Sequence, residues 1–202
     1  MKLTLCKIVL LWNLIIIISD FSHSQDLSRT FDVICRWKHL EFENIPSGQG
    51  DIYIPQNNVP FGFSRAPESK RIFVAIHRVA PGVPSTVNYF YENECDKVEN
   101  PKLRPYPDYA TNSIQYNAGP EKLVSVYRLT VDRCNRLWFV DTGALDYEPS
   151  PIIIHNPTLW IMDLNTDTLI RRFSIPDALY ETDGLGFADI VVESDGQDCD
   201  NA

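Results

Sequence analysis

The 202-residue sequence predicts an all-β protein built from recurring four-stranded units, and three observations carry that prediction. Short runs of β-branched and aromatic residues alternate with turn signals from residue 123 onward. Part of this pattern returns at a shift of 65 residues. No apolar helical period is sustained for three turns, and fourteen Pro and nine Gly interrupt the chain often. With 44% hydrophobic and 22% charged residues the composition excludes disordered, collagenous and coiled-coil chains, and the length alone fits a single domain.

Residues 1–24 read as a secretory leader. Lys2 and Lys7 supply a basic start, residues 8–18 are apolar, and Ser22-His23-Ser24 is a small-residue exit with cleavage expected after Ser24. About eleven apolar residues interrupted by Asn13 fall short of the ~20 that cross a bilayer, so no membrane association is expected after cleavage. Losing Lys2, Lys7 and Asp20 takes 18 basic and 27 acidic residues to 16 and 26, a net charge of −10. That balance argues against nucleic acid as a partner, because nucleic acid needs a basic patch. The product is expected to be secreted and extracellular.

Four strands are predicted in the second half: residues 123–131 (LVSVYRLTV), 137–140 (LWFV), 159–164 (LWIMDL) and 168–175 (TLIRRFSI). Turns at Asp132-Arg133-Cys134-Asn135 and Asn165-Thr166-Asp167, with a Pro-rich loop after Asp141-Thr142-Gly143, make them a meander. The 65-residue shift lays Arg71-Ile72-Phe73-Val74-Ala75-Ile76 on Arg136-Leu137-Trp138-Phe139-Val140-Asp141, and Asp198-Cys199-Asp200-Asn201 on Arg133-Cys134-Asn135-Arg136. Residues 187–193 (FADIVVE) fall on a first strand. A four-stranded unit at this spacing is how a β-propeller blade looks in sequence. Ala202 then aligns with Leu137, so the sequence holds about two blades and the first strand of a third, with an apolar edge that self-associates in isolation. Phe73 and Trp138 are expected to be core residues between blades.

Of five cysteines Cys6 leaves with the leader. Cys35, Cys95, Cys134 and Cys199 are disulfide candidates in an oxidising compartment, with three pairings open. No Cys-x-x-Cys is present and His39, His77 and His155 stand apart, so no metal is expected. No Gly-x-Ser-x-Gly, P-loop, dinucleotide fingerprint or His-Glu-x-x-His occurs, and no cofactor is expected.

Small ligands of propellers sit over the channel mouth, on loops between blades or between second and third strands. That places His77 and Arg78 in the first blade, and Asp141 and Thr142 in the second, as candidates. Asp141 either holds a ligand ammonium or caps its own turn. Arg78 either faces a ligand or covers the rim with its stem. Tyr89, Tyr91, Tyr106, Tyr109 and Tyr116 either stack on an aromatic ligand or form a rigid lid.

Several longer motifs are more specific. Trp37-Lys38-His39-Leu40-Glu41-Phe42, Asn57-Asn58-Val59-Pro60-Phe61-Gly62, Arg78 with Gly82-Val83-Pro84-Ser85-Thr86, Arg104-Pro105-Tyr106-Pro107-Asp108, the run from Val126 through Gly143, and Asp163-Leu164 occur in order. In these the chain resembles the insect yellow and major royal jelly protein family. The resemblance implies a secreted six-bladed β-propeller of about 400 residues, of which residues 25–202 form an incomplete N-terminal part. It also implies binding of a small aromatic amine or catecholamine-type ligand, in pigmentation, cuticle or secretion. The alternatives are dopachrome conversion in the melanin pathway, a tautomerisation for which His77 is the one histidine placed to act as general base, and a structural or nutritive protein or non-functional fragment. Family members carry a cysteine shortly before the Val-Tyr-Arg strand, bonded to the one at Cys134; here that position is near Pro120. Either Cys95 substitutes for it or Cys95 pairs with Cys35, and Cys199 matches a family cysteine whose partner lies in the absent half.

Overall fold

Alternation along Arg71–Ala75 sets the plan of the first blade. Phe73 and Ala75 are fully buried on one face while Val74 is buried on the other, so this strand is covered on both sides. In the computed structural model, which describes residues 33–46, 53–114, 118–180, 187–193 and 199, it is β2 of a four-stranded antiparallel sheet. β1 (Gly62–Ala66), β2 (Arg71–Ala75), β3 (Val87–Tyr91) and β4 (Arg104–Pro105) follow one another in space as in sequence. The leader, residues 1–24, lies outside the described residues. Ile34–Ala202 make up one unit.

The second blade has the predicted meander with one insertion. β5 (Val126–Val131), β6 (Arg136–Asp141), β9 (Thr158–Asp163) and β10 (Thr168–Ser174) pair in that order, and the small hairpin of β7 (Ala144–Leu145) and β8 (Ile152–Ile153) leaves between β6 and β9. Asn135 and Asp167 take positive φ at the predicted turns, which Asn and Asp tolerate best among side-chain-bearing residues. The one α-helix among the described residues is the single turn α1 (Tyr109–Asn112), capped by Asp108, whose carboxylate accepts from Thr111 N at 2.6 Å.

Two apolar clusters hold the unit together. Phe73, Ala75, Val87 and Tyr106 of the first blade pack on Val126, Leu129, Leu137, Phe139, Trp160 and Met162 of the second. On the outer face of the first blade, Val74, Ile76 and Phe90 pack on Leu40 and Phe42 of the preceding segment. A parallel bridge between Phe42 and Leu103 and the Cys35–Cys95 disulfide fix that segment in place. The inner strands β1 and β5 meet closely at Gly62, where an added Cβ would lie 2.9 Å from Arg128 Cα and 3.1 Å from the Tyr127 carbonyl.

The 65-residue period is visible as structure. Arg71 lies over the Phe73 ring at 5.2 Å and Arg136 over the Trp138 ring at 5.5 Å, each two residues ahead on its second strand. Arg71 also reaches into the next blade, donating to the Leu164 carbonyl at 2.9 Å and to Asp167 at 2.8 Å.

Several expectations are corrected. Trp138 is half-buried, because strand alternation turns Leu137 and Phe139 toward the first blade and Trp138 away from it; its Nε1 donates to Asp132 at 2.8 Å, and Trp160 fills the core position instead. Residues 187–193, by contrast, lie beside β5 as the opening of a third blade would, without a ladder of their own: Ile190 O accepts from Thr130 Oγ1 and Asp189 pairs with Arg128. Cys199 pairs with Cys134, so its partner is not in an absent half. Two of the tyrosines turn inward more than a lid would, while Tyr91 is exposed: Tyr106 is buried with its hydroxyl donating to Asp167 at 3.0 Å, and Tyr109 donates to the Glu43 carbonyl. Tyr116 lies outside the described residues.

Candidate functional site

The ends of β2 and β6 and the start of β5 converge at one end of the two blades, so their polar side chains meet there. Ser125 is the junction. Its N–H donates to Asp141 Oδ1 at 2.7 Å, its Oγ accepts from Arg78 N at 2.7 Å, and the same Oγ lies 2.7 Å from His77 Nδ1. The blades are thus joined by hydrogen bonds as well as by apolar packing.

His77 is fully buried. Its ring stacks on Tyr127 with centroids 3.5 Å apart, and Phe61 closes its edge at 5.7 Å. Since Ser125 Oγ already accepts the Arg78 N–H, its own proton is free to go to His77 Nδ1, which leaves the imidazole proton on Nε2. That atom faces Asp146 Oδ2 at 3.6 Å, too long for a hydrogen bond. Burial pushes the histidine down to about 4 in spite of the Asp146 carboxylate, with Arg78 adding to the decrease, so the ring is neutral at physiological pH. Asp146 is held from the first blade by its N–H, which donates to the Arg78 carbonyl at 3.0 Å, and Tyr127 donates its hydroxyl to Oδ2 at 3.3 Å.

Ser125, His77 and Asp146 share residue types with a hydrolase triad but not its function. Ser125 is completely buried and its oxygen is committed to Arg78 N and His77, so no substrate carbonyl can reach it.

Arg78 and Asp141 are placed inside the protein instead of at the rim. The Arg78 guanidinium donates to the carbonyls of Val83, Pro84, Asn112, Leu123 and Val124 and is fully buried. Asp141 accepts from Val124 N, Ser125 N and Gly143 N, which is the turn-capping alternative of its two sequence readings. Burial raises its pKa, opposed by His155 with Nε2 3.5 Å away and by those backbone donors. Thr142 is buried, its hydroxyl donating to the Ser125 carbonyl at 3.1 Å. Gly143 has φ +69°, and a Cβ there would fall 2.0 Å from the His155 carbonyl oxygen, so this turn requires glycine.

Phe61 belongs both to this cluster and to a cavity of about 410 Å³ along the inner strands, lined also by Gly62, Phe63, Arg128, Leu129 and Asp189. Ser125, Tyr127 and Asp146 are not among the candidates the sequence points to. The first two had a signal, since they flank buried Val126 and so share its opposite face; Asp146, in a Tyr-Glu-Pro loop, had none.

Blades packed face to face, joined at their inner strands and bearing polar groups at one end, define a partial β-propeller. The chain belongs to the yellow/major royal jelly protein family: the family model described as major royal jelly protein matches residues 124–202. It is 37% identical over 194 residues to L-dopachrome tautomerase yellow-f of Drosophila melanogaster, covering 84% of this chain and 44% of that protein. It is 30% identical to dopaminechrome tautomerase of the same organism, covering 91% of this chain and 40% of that one. With Protein yellow of Drosophila melanogaster it shares 32% identity over 82% of this chain and 30% of the relative. The chain therefore spans less than half the length of these relatives.

Proposed function

We propose that this chain is the N-terminal part of a secreted propeller that tautomerises an aminochrome of the dopachrome or dopaminechrome class. The observation that carries the reading is the neutral, buried His77 set against the Asp146 carboxylate beside the aromatic rings of Tyr127 and Phe61. Tautomerisation needs a base near an acidic carbon-bound proton and a flat surface for the ring, and needs neither oxidant nor cofactor. The names of two relatives support the same chemistry. Two disulfides fit an oxidising compartment and hence secretion.

Binding of an aromatic amine without turnover is the second reading, favoured by the partly exposed Asp146 carboxylate in a chain with net charge −9. The test is the loss of dopachrome and of dopaminechrome with the intact protein, alongside calorimetric titration with dopamine and serotonin. Turnover above the spontaneous rate supports the tautomerase. Heat without turnover transfers the site to amine binding, and neither signal removes both readings in favour of a structural or nutritive protein.

A further inference from the structure

The residues around His77 divide into those a ligand can reach and those it cannot. His77 is fully buried, with one face under Tyr127 and Nδ1 taken by Ser125. The Asp146 side chain is 29% exposed, and its Oδ2 faces the Tyr127 hydroxyl and His77 Nε2. Its backbone is anchored to Arg78, which five carbonyls immobilise.

Resting on the tautomerase reading above, we propose that Asp146 is the catalytic base of this site and that His77 is a positioning residue, the dipole of its Nε2–H, 3.6 Å from Oδ2, orienting the Asp146 carboxylate electrostatically without a hydrogen bond. In the reaction Asp146 takes the proton from a ring carbon of the aminochrome. The C–H bond breaks, an O–H bond forms on the carboxylate, and the electron pair moves through the conjugated ring to the quinone oxygen. That oxygen takes up a proton and Asp146 returns its own to solvent, so the product is an isomer and no electrons leave the substrate. Tyr127 and Phe61, edge to face at 5.6 Å, form an aromatic wall beside the carboxylate. His77 is suited to orienting because it is neutral: a charged imidazolium would stabilise the carboxylate as an anion and weaken it as a base.

The experiment compares Asp146→Asn, Asp146→Glu and His77→Gln in the intact protein, with dopaminechrome and dopachrome as substrates. Asp146→Asn is expected to lower kcat by about 100-fold or more with little change in KM, Asp146→Glu to recover part of it, and His77→Gln to lower kcat by about tenfold. Imidazole NMR supplies a readout independent of turnover: removing the carboxylate in Asp146→Asn should lower the His77 titration midpoint further. Wild-type turnover retained within threefold in Asp146→Asn overturns the assignment of the base, and a His77 midpoint unmoved by that substitution overturns the pairing. Wild-type protein without turnover overturns the tautomerase reading itself and the proton transfer with it.

Discussion

Arg78→Met replaces a buried guanidinium by an apolar chain of similar length, so the packing is largely kept while five backbone carbonyls lose a donor. Those carbonyls belong to three separate segments, at Val83 and Pro84, Asn112, and Leu123 and Val124, with contacts of 3.0 Å to Val83, 3.2 Å to Leu123 and 2.7 Å to Asn112 among them. A hydrogen bond to a charged group contributes about 1.5–3 kcal/mol, and orphaning a buried polar group costs about 1–3 kcal/mol. The contributions do not add, because carbonyls have a second lone pair and water enters the vacated space. A loss of about 4 kcal/mol is expected, within the range for breaking a buried charged network. In a unit of this size that lowers Tm by roughly 8–16 °C. Arg78→Lys keeps the charge but has three donors for five acceptors, and should recover part of the loss. Thermal unfolding at neutral pH, with amine titration of the same samples, reads the result. If Arg78→Met melts within about 2 °C of wild type but loses ligand affinity, the guanidinium serves a ligand and the structural account is wrong.

Two further outcomes are expected. The folded pKa of His77, about 4, lies below its ordinary 6.5, so the folded protein binds fewer protons in that interval; stability present above pH 6.5 is lost as pH falls toward 4, by up to about 3 kcal/mol. Comparing the pH dependence of unfolding in wild type and His77→Gln isolates this, since buried Asp141 is common to both; identical profiles would refute it. Peptide mapping without reductant should recover Cys35 linked to Cys95 and Cys134 linked to Cys199. Cys134→Ser, opening a loop of 65 residues, should cost about 4 kcal/mol by the chain-entropy account, read in the same unfolding assay.

The strands were legible because alternation and turn residues are local. β6 and β9 lie within a residue or two of their predicted limits, and the 65-residue shift placed Arg71 and Arg136 at equivalent points. What alternation does not reveal is which face of a strand meets a neighbour, and so it points to Trp138 for the core position that Trp160 occupies. The site was legible only in location. His77, Arg78 and Asp141 do gather at the strand ends, but whether a polar side chain there faces solvent or the backbone depends on loops distant in sequence, such as the carbonyls 34 and 46 residues from Arg78. Asp146 reaches His77 through a hairpin insertion that the repeat does not contain. The disulfides needed the same three-dimensional information, and only Cys134–Cys199, whose separation equals the repeat period, had a trace of it in sequence.

At Gly62 the two sheets are separated by little more than backbone thickness, whereas farther out Phe73, Tyr106, Phe139 and Trp160 stand between them. The space between successive sheets is therefore a wedge with its thin end at the inner strands. Repetition of a wedge turns the structure through a fixed angle, and that angle determines how many sheets come round before the first meets the last. A side chain at position 62 would thicken the narrow end, reduce the angle and leave a ring of the same number of blades with a gap.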